Sequence, residues 1–278
     1  MKKILLLIIL IAGVAQLPSI NAQQVKVISF NIRNNKTPKE DGENAWFKRA
    51  GAVVQMIEKE NPDLFGVQEA LLDQLSYIDR NFYRRYRRIG AGADNGLTRG
   101  EHNAIYYDKT KYKVISNKTR WLSVTPQRVS IGWDATSYLT AVIIKLREIS
   151  TGKEICYLNT QLFRDGSISH TESVKLIARL IQEETSSNTM VIIGGSFDSS
   201  LDRDDYKPLY DIGMTSARDN AERTDYRNTF NAFGNTRGAM IDHFLVRNIE
   251  VERFKTLNKN YGVKYISDHY PIEIIFNL

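Results

Sequence analysis

Short apolar runs that end in polar residues place the strongest constraint on this chain. Ser29-Phe30-Asn31-Ile32-Arg33, Gly66-Val67-Gln68-Glu69-Ala70, Ile241-Asp242-His243-Phe244 and Ser267-Asp268-His269-Tyr270-Pro271 each put a polar residue at the end of a strand-like stretch. Asn159-Thr160-Gln161-Leu162 and Gly194-Gly195-Ser196-Phe197-Asp198 close runs of the same kind. Such runs read as buried strands, here over residues 25–30, 64–68, 103–107, 112–115, 138–146, 155–160, 190–194, 240–246 and 270–276. Helical spacing at Phe47, Ala50, Val54 and Ile57 predicts a helix over 46–60, which Asn61-Pro62 ends. Further helices are predicted over 70–78 and 171–184. Helices early and midway, with many strands between them, predict an α/β (α+β) fold of two packed sheets flanked by helices.

Lys2 and Lys3 precede an apolar run from Ile4 to Val14, and Ile20-Asn21-Ala22 ends in a small residue. This is the pattern of a secretory signal peptide, 1–22, cut after Ala22. Its apolar core is shorter than the roughly 20 residues of a comfortable membrane span, and no cysteine near the cut offers a lipid anchor. The remainder, 23–278, contains no linker, low-complexity tract or repeat and reads as one domain and a monomer, periplasmic or secreted. The formal charge of +6 falls to +4 without those two lysines. Cys156 is the only cysteine, so no intramolecular disulfide forms, and its strand-like setting predicts a buried thiol. The lack of a cysteine–histidine cluster argues against a structural zinc site. A pI near 9.2 permits phosphate-bearing partners without requiring them.

Phosphate-ester hydrolysis needs a cation to neutralise phosphoryl oxygens, a base to position water and an acid for the leaving oxygen. Magnesium takes one or two carboxylates plus water and substrate oxygens. Glu69 and Asp268 suit that role, with Asn31 as a neutral helper, and Asp242 and His269 suit an imidazole oriented by a carboxylate. Each residue also has a plainer reading. Asn31 closes a strand-end turn, Glu69 caps a helix beginning at Ala70, Asp242 and Asp268 bind loop backbone, and His269 is an ordinary half-buried histidine. Their joint occurrence, in this order and these contexts, favours the chemical reading.

These segments resemble the endonuclease/exonuclease/phosphatase superfamily, which includes deoxyribonucleases, sphingomyelinases and inositol polyphosphate phosphatases. The resemblance runs from Val25 to the C-terminus. It rests also on Trp46–Arg49, Asn61-Pro62-Asp63, Gly100-Glu101, Trp121-Leu122-Ser123, Gly132-Trp133-Asp134-Ala135 and Thr229-Phe230. It implies a four-layer αββα sandwich with the site at the strand ends. It also implies a Mg²⁺ or Mn²⁺ ion held by Glu69, Asn31 and Asp268, and His269 beside the phosphate with Asp242 behind it.

The chain departs from the family at two places. Where relatives have Asn-Thr-His it has Asn159-Thr160-Gln161, and the positions of a following Asp-His pair read Phe163 and Arg164. Where they have Gly-Asp-Phe-Asn it has Gly195-Ser196-Phe197-Asp198. Glutamine donates a hydrogen bond but carries no proton through a reaction. Strand alternation puts Asp198 on the face of Ser196, about 6–7 Å further along, as a partial substitute. An arginine that many relatives carry after Gly-Trp-Asp-Ala is absent, and Tyr138 and Leu139 occupy that region.

Two functions stay open: a metal-dependent hydrolase of phosphate esters with impaired activity, using His269, Asp242 and Asp198, or a non-catalytic descendant that binds a phosphate- or sugar-bearing ligand in the old cleft. Nucleic acid, lipid head group and inositol phosphate all fit as the ester. Two other features await placement. Arg80, Arg84, Arg85, Arg87 and Arg88 interleave with Tyr83 and Tyr86, as a phosphate-binding surface or a solvated face. Residues 91–100 form a glycine-rich loop, bordering the site or simply flexible.

Overall fold

The computed structural model describes residues 23–163 and 166–278. The predicted signal peptide and Arg164 lie outside them. Two six-stranded sheets stack face to face. The first has the order β11 (Val251–Thr256), β12 (Ile272–Asn277), β1 (Gln24–Asn31), β2 (Leu64–Ala70), β4 (His102–Asp108), β3 (Tyr86–Ile89). The second has the order β5 (Tyr112–Trp121), β6 (Thr140–Glu148), β7 (Glu154–Gln161), β8 (Met190–Ser196), β10 (Asp242–Arg247), β9 (Thr215–Ser216). Helices α1 (Pro38–Asp41), α2 (Trp46–Glu60) and α3 (Leu72–Phe82) accompany the first sheet, and α4 (Ser167–Glu184) and α5 (Lys207–Asp211) the second. The result is the pair of packed, helix-flanked sheets that the run pattern predicts and the αββα sandwich that the resemblance implies.

Each sheet is built around one parallel pair, β1–β2 in the first and β7–β8 in the second, and every other pairing is antiparallel. Each parallel pair is joined by a long crossover helix, α2 or α4, as a parallel connection requires. Parallel strands end on the same side, so the C-terminal residues of all four gather at one end of the sandwich.

Alternation along the strands decides what they bring there. On β1, Val25 and Val27 enter the core between the sheets, while Ile28 and Phe30 pack under α2. Ser29 and Asn31 therefore continue the inward face. On β7, Ile155 and Tyr157 face inward, and Cys156 and Leu158 pack outward toward α4. Asn159 and Gln161 follow them inward. Ile192 on β8 and Phe244 on β10 are inward residues, so Ser196 and Asp242 are too. Cys156 is buried and free, as expected.

Gly66 makes this end of the interface possible. A Cβ there would lie 2.4 Å from the Tyr157 hydroxyl and 2.8 Å from Asn159 Cγ. The missing side chain lets the second sheet's polar residues reach across to the first.

Several elements depart from the sequence pattern. α3 begins at Leu72 because β2 runs on to Ala70 through a register shift between Val67 and Ala70. Glu69 is thus a strand residue, not a helix cap. β11 was hidden because its pairing with β12 shifts register between Val251 and Arg253, which breaks the period of two. The arginine-rich stretch leads into β3, where Tyr86 pairs with Asp108 and so lies away from the gathered strand ends. There Arg85 Nε meets Asp108 at 2.6 Å and Arg88 meets Asp79 at 3.2 Å. Arg80 and Arg84 lie over the rings of Tyr77 and Tyr83. These contacts make the cluster a structural edge.

Candidate ligand cleft

The polar strand ends converge on Glu69. Strict alternation would send its side chain to the helix face of β2. A left-handed backbone at Glu69 (φ 62°), inside the register shift, turns it toward the sheet interface beside Gln68. Its Oε1 accepts from Asn31 Nδ2 (2.9 Å) and Gln161 Nε2 (2.8 Å), and its Oε2 from the Asn34 backbone N–H (3.3 Å) and Asn34 Nδ2 (3.1 Å). Burial disfavours the charge, but the amides of Asn31 and Gln161, nearby His269 and the Asn34 N–H outweigh it. The carboxyl is held below its ordinary range.

Amides also form the floor. Gln68 Nε2 donates to Asn159 Oδ1 (2.6 Å), while Asn159 Nδ2 donates to the carbonyls of Val67 (2.9 Å) and Ala104 (3.0 Å). Asn159, buried at the end of β7, thereby stitches one sheet to the other.

Opposite Glu69 lies the segment 267–269. Ser267 Oγ donates to the Asn31 carbonyl at 2.7 Å, fixing the segment against β1. His269 Nδ1 donates to Asp242 Oδ2 at 2.8 Å, and Phe230 packs against the imidazole with ring centres 5.0 Å apart. Asp242 is placed by its backbone N–H, which donates to the buried Thr229 hydroxyl at 3.1 Å. Burial opposes a charge on His269, yet Asp242, Asp268 and Glu69 together raise its pKa to about 9. That shift favours the imidazolium at neutral pH, the form that donates to an anion. The Asp268 carboxyl is shifted up, chiefly by burial and also by Glu69, against the opposing pull of His269 and Arg33.

Ser196 lies in register between Gln161 on β7 and Asp242 on β10. No side chain at that position adds a carboxylate to the cleft. β8 ends there, so alternation does not carry on to Asp198, which is exposed and left-handed (φ 54°). The glycine-rich loop does border the cleft: Ala93 lines it with Glu101, Asn103, Tyr138, Gln161 and Phe163. The loop is pinned, with Asn95 Oδ1 accepting three backbone N–H groups and the Ala93 carbonyl accepting from Trp121 Nε1 at 2.8 Å. A larger cavity of about 610 Å³ lies behind β10, against outward-facing His243, and is separate from these residues.

The expected Mg²⁺ or Mn²⁺ site is not present as drawn from the sequence. Among the described residues, no group of three or more His, Cys, Asp or Glu side chains could hold a metal ion. The donor chemistry explains why. Of the expected ligands only Glu69 and Asp268 bring carboxylates and Ser196 supplies none, while the other acids at the cleft are already engaged, Asp242 by His269 and Glu101 by Lys36 and Asn34. Asn31 turns its N–H end to Glu69, and its carbonyl oxygen accepts the Arg33 backbone N–H at 3.0 Å. Both Glu69 oxygens are already satisfied by N–H donors.

Sequence reasoning overlooked the side chains that hold this arrangement. Asn34 bridges Glu69 to Glu101 (3.1 Å to each). Arg49, buried on α2, donates to the carbonyls of Asn44 (2.8 Å), Arg33 (2.8 Å), Ile266 (3.0 Å) and Ile32, tying the end of β1 to the loop before Ser267. Burial lowers its pKa to about 10, leaving it charged.

Residues 28–269 match the endonuclease/exonuclease/phosphatase family, and the chain belongs to it. The fold is shared with an endonuclease/exonuclease/phosphatase from Bacteroides vulgatus at TM-score 0.86 and 29% identity, covering 92% of this chain and 99% of that one. It is similar also to a mannosyl-6-phosphatase from Bacteroides thetaiotaomicron, at TM-score 0.85 and 28% identity over 91% of this chain and all of that one. An uncharacterized protein of Acanthamoeba polyphaga mimivirus is 26% identical, covering 91% of this chain and 100% of its own length.

Proposed function

We propose that this chain binds a phosphate ester, with a sugar as the favoured alcohol, and that it has lost ordinary turnover. One observation carries the reading: the buried His269–Asp242 pair, 2.8 Å apart, sets an imidazole biased toward its charged form at the cleft, while the neighbouring proton-handling positions are Gln161 and Ser196. A charged donor in a buried site holds a phosphoryl oxygen through a strong, short hydrogen bond. Catalysis asks more. Loss of one acid–base group costs about 10²–10⁴-fold in rate, and Glu69 is committed to amides. The sugar is favoured because a relative of similar fold, 28% identical, is a mannosyl-6-phosphatase. The leader ending at Ala22 would place the protein in the periplasm or outside the cell, and no described helix is long and apolar enough to cross a membrane.

The competing reading keeps hydrolysis and gives Asp198 the missing carboxylate's part, which requires its loop to fold inward. Calorimetry separates binding from its absence. Mannose 6-phosphate should titrate saturably and mannose should not, and His269→Gln should weaken the phosphate ester at least about tenfold, the loss of one charge-assisted bond. Equal affinity for the sugar with and without phosphate, or no effect of His269→Gln, would end the proposal.

A further inference from the structure

Arg33 has no part in the reading above, yet its surroundings are unusual. It follows β1 in a left-handed conformation (φ 57°), a strained backbone for a residue with a side chain. The surrounding structure enforces it. The Arg33 N–H donates to Asn31 Oδ1 (3.0 Å), and its carbonyl accepts from Arg49 Nη2 and Gln74 Nε2 (2.8 Å each). That conformation swings the guanidinium back over the cleft. Nη2 meets Asp41 Oδ1 at 3.2 Å, Nη1 stands 3.8 Å from Asp268 Oδ2, and Nε–H is buried without a partner among the described residues. The side chain is only 32% exposed. The acidic groups near the guanidinium are Asp268, Asp41 and Glu69; Arg49 is a nearby cation, and His269 acts on the same Asp268 and Glu69.

We infer that Arg33 is a resident cation of this cleft: together with His269, its guanidinium gives Asp268 and Asp41, with Glu69 nearby, positive charge that these carboxylates would otherwise draw from a bound ion. Two carboxylates turned toward one cleft repel and raise the free energy of the folded state unless a cation lies between them. A guanidinium is permanently charged and planar, so it can serve two carboxylates from one fixed position. It also repels a divalent ion from the same oxygens. Integrity of the cleft is therefore independent of divalent ions, whichever ligand it holds.

The test is thermal melting of the purified protein in EDTA and in 10 mM Mg²⁺ or Mn²⁺, at constant ionic strength. Wild type and Arg33→Lys, which keeps the charge, should move by less than about 1 °C between the two. Arg33→Gln should melt lower in EDTA and rise by about 3 °C or more with either ion, because an ion binding only the folded state stabilises it by mass action. A wild type that rises as much as Arg33→Gln overturns the inference, and so does a folded Arg33→Gln that ignores the ions. If Arg33→Gln alone does not fold, Arg33→Gln with Asp268→Asn, which removes a charge of each sign, should fold and ignore the ions. Failure of that pair to fold would show that Arg33 is needed for packing and would equally overturn it.

Discussion

Replacing Asp242 with Asn should discharge His269 at neutral pH. The substitution keeps size and one acceptor but removes the carboxylate 2.8 Å from Nδ1. Burial lowers the imidazole's pKa, and Asp242 is the largest of the groups that raise it to about 9. Without Asp242, His269 should titrate near or below its ordinary value of about 6.5. At pH 7.5 the imidazolium fraction would fall from about 97% to about 9% or less. Affinity scales with the competent fraction, so phosphate should bind about tenfold more weakly. At pH 5.5 both proteins are largely charged and the gap should close to within about twofold. Long-range proton–nitrogen NMR of the ring follows the titration, and phosphate titrations at the two pH values follow the affinity. An Asp242→Asn protein that keeps His269 charged at pH 7.5, or binds phosphate equally weakly at both pH values, would refute the reasoning.

The same pair links stability to pH. The folded pKa of His269 lies above the unfolded one, so its contribution is complete below about pH 6.5 and is lost as pH rises through 9. Denaturant melts should show wild type losing stability relative to Asp242→Asn across that window, and parallel curves would count against the assignment. Gly66→Ala drives a Cβ to 2.4 Å from the Tyr157 hydroxyl and should cost about 1–3 kcal/mol in urea unfolding. Arg49→Met removes the donor to the carbonyls of Asn44, Ile32 and Ile266, while that of Arg33 keeps Gln74, and should cost about 3–5 kcal/mol, measured the same way.

The sandwich was legible in the sequence because buried strands and amphipathic helices carry their own periods. The run ending at Asn31 and the helix over Trp46–Glu60 are examples. What failed to show was backbone that breaks a period. Alternation puts Glu69 on the wrong face, and only the left-handed residue within the register shift corrects it. Alternation also extends β8 to Asp198, whereas the strand ends at Ser196. The metal expectation erred for a related reason. A list of acidic residues does not reveal what satisfies them, and the uncharged amides of Asn34 and Gln161, which fill Glu69's oxygens, leave no acidic signature. Arg49 was visible as a residue type, but its four carbonyl partners come from segments as distant as Ile266.

Turnover by the purified protein tests the central claim most directly. Mannose 6-phosphate, p-nitrophenyl phosphate and bis-p-nitrophenyl phosphate would be assayed with added Mg²⁺ or Mn²⁺ and with EDTA, at ligand concentrations that saturate binding. The account predicts saturable binding of the sugar phosphate with turnover far below the ordinary enzymatic range of about 1 s⁻¹ and above. A rate of about 1 s⁻¹ or faster on any of the three would contradict it. That result would show that Gln161 and Ser196 belong to a working site.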